Sequence, residues 1–148
     1  MNFKHNDGGR ADAGFKGDAG DCVTRAVAIA SGLPYSDVYK ALAEGNGSQR
    51  ASSRTGKRGK TARNGINVKR KWFKDYMASI GFTWVATMFI GKGCKVHLRE
   101  DELPTGNLVV SVSKHYTSVI DGVLNDTYDC SRGGSRCVYG YWIKGETT

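Results

Sequence analysis

The stretch "HYTSVIDGVLNDTYD", residues 115–129, decides the fold class. Two runs rich in β-branched and aromatic residues flank Asp121-Gly122, a pair suited to the left-handed positions of a tight hairpin turn. The reading is two antiparallel strands, 115–121 and 123–129. With a two-residue turn, Ile120 pairs with Val123 and His115 lies opposite Tyr128. Asp126 then sits diagonally from His115 on the same face, about 7–8 Å away at the backbone and within side-chain reach. Asn125 points to the other face. Any even-length turn keeps this parity, whereas an odd turn or a bulge reverses it and favours Asn125. The register therefore nominates Asp126 as the partner of His115, with Asn125 second.

Working outward, further strands are expected at "TWVATMFI" (83–90), "KVHL" (95–98), "NLVVSVS" (107–113) and "VYGYWI" (138–143). "DELP" between them reads as a turn or a short helical turn. Before Gly81 the period becomes helical. In "GDCVTRAVAIASG", residues 20–32, Asp21 is placed to cap a helix over about 22–31. Val23, Ala26, Val27 and Ala30 fall at i, i+3, i+4 and i+7, which makes one buried stripe. Gly32 is its stop signal, and Pro34 prevents continuation. Ser36 is expected to cap a second short helix carrying Val38, Ala41 and Leu42 and ending at "EGNG". A third starts after Asn67, carries Trp72, Phe73, Tyr76, Met77 and Ile80, and ends at Gly81. Residues 1–19, rich in Gly and Asp, read as irregular. Helices first and an antiparallel sheet second define an α+β class. The 148 residues suit one domain.

The net charge of +8 is concentrated. Residues 49–74 hold ten Lys or Arg and no acid, and the rest of the chain carries 12 basic and 14 acidic residues. The basic character thus belongs to a loop insert at about 45–67. Arg50, Arg54, Lys57, Arg58, Lys60 and Arg63 form an arm suited to nucleic acid or to an acidic protein, with a plain solvated loop as the alternative. No apolar run approaches the roughly 18 residues of a membrane span. No export signal is seen at the N-terminus. A soluble cytoplasmic protein without membrane contact is expected, and four cysteines there are thiols or ligands before they are bridges.

Cys22 opens the first helix. There the helix dipole and unpaired N–H groups favour a thiolate, and the same N–H groups can hold an oxyanion. Gly20 keeps backbone bulk away. A nucleophile needs a base, and the base an orienting group. The chain offers His5, His97 and His115, of which His115 has the strand and the neighbouring acid. Buried filler is the plain alternative for Cys22, and a satisfied strand histidine for His115.

An early-helix Cys, a His opening a late strand and an Asp or Asn on the next strand together resemble the papain-like cysteine peptidases. "GDCVTRAVAIASG" with "HYTSVIDGVLNDTYD" is most similar to the small papain-fold proteins of bacteriophage and bacterial genomes. The likeness extends through "GCKVHLREDELPTGNLVVSVSKH" to "DCSRGGSRCVYGYW". It implies a papain-like fold with N-terminal helices packed on a C-terminal antiparallel sheet, in a host cytoplasm if the gene is a phage's. By position it makes Cys22 the nucleophile, His115 the base and Asp126 the orienter of a cysteine peptidase-like hydrolase acting on a protein or peptide. The Gln usual before the nucleophile is missing from "FKGDAGD". Lys16 or the backbone N–H of Cys22 would take its place. Acyl transfer to an amine, as in transglutaminases, uses the same residues. The alternative is a non-catalytic binding module using its basic loop.

Three cysteines remain. "GCKVH" sets Cys94 and His97 at a metal-ligand spacing, and "CSRGGSRC" brings Cys130 and Cys137 together across a hairpin. Four such ligands can close a zinc site. The simpler readings are a Cys130–Cys137 bridge or free thiols, and no metal or cofactor is assigned.

Overall fold

The computed structural model of the protein describes residues 2–11, 14, 21–48, 68, 70–89 and 91–145. The basic positions Arg50, Arg54, Lys57, Arg58, Lys60 and Arg63, together with Lys16 and Gly20, lie outside the described residues. The fold is α+β. Among the described residues three α-helices, α1 (Cys22–Ser31), α2 (Tyr35–Ser48) and α3 (Lys71–Ser79), accompany a six-stranded, mostly antiparallel sheet. Its strands are β1 (Asn2–His5), β2 (Phe82–Ala86), β5 (Asn107–Val112), β6 (His115–Ile120), β7 (Val123–Asp126) and β8 (Val138–Lys144). They lie in the order β1-β7-β6-β5-β8-β2. A separate two-stranded ribbon joins β3 (Met88–Phe89) to β4 (Gly93–Cys94).

The β6–β7 hairpin has the expected register: Ile120 faces Val123 and Ser118 faces Asn125. Asp121 at φ 47° and Gly122 at φ 82° both take positive φ, which twists the turn to match the strands. Strand alternation sorts the core into two layers. Val109, Tyr116 and Trp142 join α1, α2 and α3 on one face. Leu108, Val110, Val112, Val119 and Leu124 meet Leu98, Leu103 and Cys130 on the other. Each fully buried large side chain there contributes about 1.5–3 kcal/mol.

Helix α1 spans the expected residues, and Val23, Ala26, Val27 and Ala30 are all buried. Gly32 ends it in the left-handed conformation, its N–H donating to the Ala28 carbonyl at 3.0 Å. Two side chains secure that end against the sheet: Asn107 Nδ2 donates to the Ala30 carbonyl at 3.0 Å and Lys144 Nζ to the Ser31 carbonyl at 2.7 Å. The Lys144 charge also suits the negative end of the helix. Asn107 pairs with Ile120, the last residue of β6. The start of α1 meets His115 and Tyr116, the first residues of β6. The helix therefore runs parallel to β6 along its length, which brings Cys22 to the strand's beginning.

Several expectations are corrected. Helix α2 starts at Tyr35 rather than after a Ser36 cap, and it runs through "EGNG" to Ser48. Gly45 is needed inside it: a Cβ there would lie 2.2 Å from the Trp72 ring. Close packing against Trp72 overrides the local turn signal, a cost of about 1 kcal/mol per glycine. The insert thus begins after the helix and not at residue 45. Residues 2–5 are not irregular but form β1, parallel to β7, with Asn2 opposite Val123. "KVHL" is not a strand: only His97 makes an isolated bridge, to Cys137. "TWVATMFI" breaks at Thr87, whose N–H and hydroxyl bind the Tyr139 and Val138 carbonyls. "DELP" lies at a short 3-10 turn, Glu100–Glu102. No helix among the described residues is long and apolar enough to cross a membrane.

Candidate active site

His115 is the centre of the site. Its Nε2 lies 2.8 Å from Asp126 Oδ2, and both side chains are nearly closed to solvent. That leaves Nδ1 as the ring nitrogen available to the thiol of Cys22. The Tyr128 ring covers His115 at a centroid distance of 5.4 Å. Asp126 is further held by the Thr127 N–H at 2.7 Å. Asn125, the second choice, turns to the other face, where its Oδ1 accepts from Asn6 Nδ2 at 3.2 Å. The parity of an Asp-Gly hairpin was sufficient to separate the two.

The electrostatics follow from this packing. Burial alone pushes the His115 pKa down, but the Asp126 hydrogen bond and charge, with contacts to Cys130 and Cys22, raise it to about 11. Burial pushes the Cys22 thiol up, yet the contact and charge of His115, the Tyr116 N–H and the Arg25 charge bring it below its usual value. Asp126 is likewise lowered: burial raises it and the interactions with His115 override that. The contacts between Cys22, His115 and Asp126 thus each favour the charged form of the group they touch.

Asp21 holds the N-cap position, but its side chain makes no cap bond. Its buried carboxylate instead meets Arg10 Nε at 2.9 Å, the Tyr35 hydroxyl at 2.5 Å and the Arg25 guanidinium. Two cations balance the charge next to Cys22, so Asp21 does not oppose the thiolate on its own. The i, i+4 spacing to Arg25 was visible in the sequence; Arg10 and Tyr35 carried no signal.

The other cysteines are not arranged as expected. Cys137 is bonded to Cys94 rather than to Cys130. The loop between Cys130 and Cys137 does not bring their sulfurs together. Buried Arg136 pins it, donating to the Cys130 and Ser113 carbonyls. Cys130 stays free and buried, its Sγ 3.7 Å from Asp126 Oδ2. The structure thus groups Cys130 with Asp126 and His115, while Cys94 and Cys137 are joined to each other. His115, Asp126 and Cys130 do offer ligand atoms within 4.8 Å of one another. The His115 nitrogen nearest them is already engaged by Asp126, which favours a hydrogen-bonded set.

An apolar groove of about 520 Å³ opens on the helix side of the sheet, lined by Val68, Lys74, Trp84, Ser111, Tyr116, Tyr139 and Trp142. Tyr116, next to His115, links the groove to Cys22. Comparison with family models, with curated proteins and with solved structures finds no match.

Proposed function

We propose that the protein is a papain-like thiol hydrolase, a cysteine peptidase in type, working through an acyl-enzyme on Cys22. The observation that carries the reading is His115, held between the Cys22 thiol and the buried Asp126 carboxylate. The Cys22 thiolate attacks the carbonyl carbon of an amide. N–H groups in the first turn of α1 stabilise the oxyanion. As the tetrahedral intermediate collapses, the His115 imidazolium gives its proton to the leaving amine. His115 then takes a proton from water as it attacks the thioester, and the acid is released. Asp126 fixes the ring and its charge throughout. Replacing water by an amine gives acyl transfer with the same residues. The apolar groove beside Tyr116 suits the side chain of the acyl donor.

Alkylation tests the reading without a known substrate. With the Cys94–Cys137 bond intact, iodoacetamide near neutral pH is expected to modify Cys22 first, and His115→Ala to abolish the preference. If Cys22 resists while Cys130 reacts, the enzyme reading fails.

A further inference from the structure

We propose that reduction of the Cys94–Cys137 bond opens a zinc site formed by both thiolates and His97 Nε2, with Glu102 as the residue orienting the histidine. A disulfide needs no histidine, yet His97 is aimed at this one. Its Nε2 lies 3.7 Å from Cys94 Sγ. Sulfur and nitrogen ligands on one tetrahedral zinc stand about 3.6 Å apart, given Zn–S of about 2.3 Å and Zn–N of about 2.0–2.1 Å. The other ring nitrogen, Nδ1, lies 3.2 Å from Glu102 Oε1. This is the carboxylate–histidine arrangement that sets tautomer and ring direction at metal centres. His97 and Cys137 are also bridge partners in the backbone, which fixes the two ligands side by side.

The donors are soft and borderline, the types zinc prefers over magnesium or calcium. The place is accessible: Cys94 is exposed, and Cys137 and His97 are partly so. Met88 Sδ, 3.9 Å from Cys137 Sγ, is a further soft neighbour. The redox step balances. A dithiol passes two electrons and two protons to the disulfide, giving two thiols and its own disulfide. Zinc then displaces the two thiol protons. Disulfide and metal make the same tie, from the β3–β4 ribbon to the start of β8.

The test uses the full chain with Cys22→Ser and Cys130→Ser, so that sulfur ligands remain only at 94 and 137 among the cysteines. The protein is reduced with a phosphine, exchanged into anaerobic buffer without reductant and titrated with cobalt(II). One equivalent is expected to give a thiolate-to-cobalt charge-transfer band that zinc abolishes, and the oxidised protein none. His97→Ala and Glu102→Gln should each weaken binding, Glu102→Gln by about 10–100-fold. No band in the reduced protein overturns the proposal, and so does equal affinity in His97→Ala. If the double variant does not fold, reduced wild type is compared with Cys94→Ser/Cys137→Ser. Persistence of the band in that variant also overturns it.

Discussion

The chain carries two cysteine–histidine–carboxylate sets, and they differ chiefly in their surroundings. Cys22, His115 and Asp126 come from a helix start and two neighbouring strands. Cys94, His97 and Glu102 come from a ribbon and the loop after it. The His115 and Asp126 side chains are 9% and 4% exposed; those of His97 and Glu102 are 37% and 28% exposed. In water two unit charges 4 Å apart attract by about 1 kcal/mol, against about 4 kcal/mol at the effective dielectric of a protein site. Burial therefore strengthens the pairing in the first set, with His115 raised to about 11 and Cys22 lowered from its ordinary value. Each set has a second sulfur beside it, but Cys130 stays a buried free thiol, whereas Cys137 bonds to Cys94 and with the exposed set becomes a bridge or a ligand group. The same residue types acquire different chemistry from burial and from a helix terminus.

The largest expected effect breaks the buried set. Asp126→Asn leaves the His115 cation without its counter-charge, and the loss of stability should be about 3 kcal/mol, the low end for breaking a buried pair. His115 can shed its proton at neutral pH, which limits the cost. Glu102→Gln, at a pair with more solvent, should cost well under that. Urea unfolding of both variants at pH 7 decides it. Equal losses would remove burial as the difference between the sets.

Reactivity gives the next effect. In His115→Ala the thiol keeps the burial that raises its pKa and loses the cation that lowers it. At pH 7 its thiolate fraction falls to about 1% or less, so alkylation of Cys22 should slow, by about 100-fold at most. The variant's rate should climb about tenfold per pH unit up to pH 9, whereas the wild-type rate should level off at a lower pH. A wild-type profile as steep as the variant's would deny the lowered thiol.

Legibility in the sequence followed the range of each interaction. Local signals carried α1, its buried stripe, its Gly32 stop and the β6–β7 register. The register alone was enough to choose Asp126 over Asn125. That α1 lies along β6, bringing Cys22 to His115, depends on anchors such as Asn107 and Lys144, far away in the chain. No periodicity reports these. The same distance hid β1, whose four exposed residues show no core pattern and which is held through pairing to β7. It also hid the Cys94–Cys137 pairing, because the close spacing of Cys130 and Cys137 pointed elsewhere. Gly45 misled for a different reason: its role is contact with Trp72, which looks like a turn signal until Trp72 is placed.

A smaller effect lies in the pH dependence of stability. His115 binds its proton more tightly folded than unfolded, so its contribution is complete below about pH 6.5 and is lost as pH rises toward 11. Cys22 acts oppositely: its contribution is present above its ordinary value of 9.0 and is lost as pH falls through its lowered folded value. Below pH 9 the two oppose each other. Between pH 9 and 10 the His115 loss stands alone within the pair, at up to about 1.4 kcal/mol per pH unit. His115→Ala should remove that slope from a series of denaturant melts. An unchanged slope would mean that His115 is not charged in the folded protein.

The smallest effect is expected at the exposed set. His97→Gln in the oxidised protein should change stability by less than about 1 kcal/mol, because an exposed pair gains little over its hydration. The Cys94–Cys137 bond already ties the ribbon to β8, and the histidine adds little to a covalent link. After reduction the tie depends on the two thiols and His97, and added zinc should stabilise wild type more than His97→Gln by linkage. Melting temperatures in four states, oxidised or reduced and with or without zinc, measure both sides. A loss above about 2 kcal/mol in the oxidised variant would show that His97 supports the loop structurally and would erase the contrast with His115.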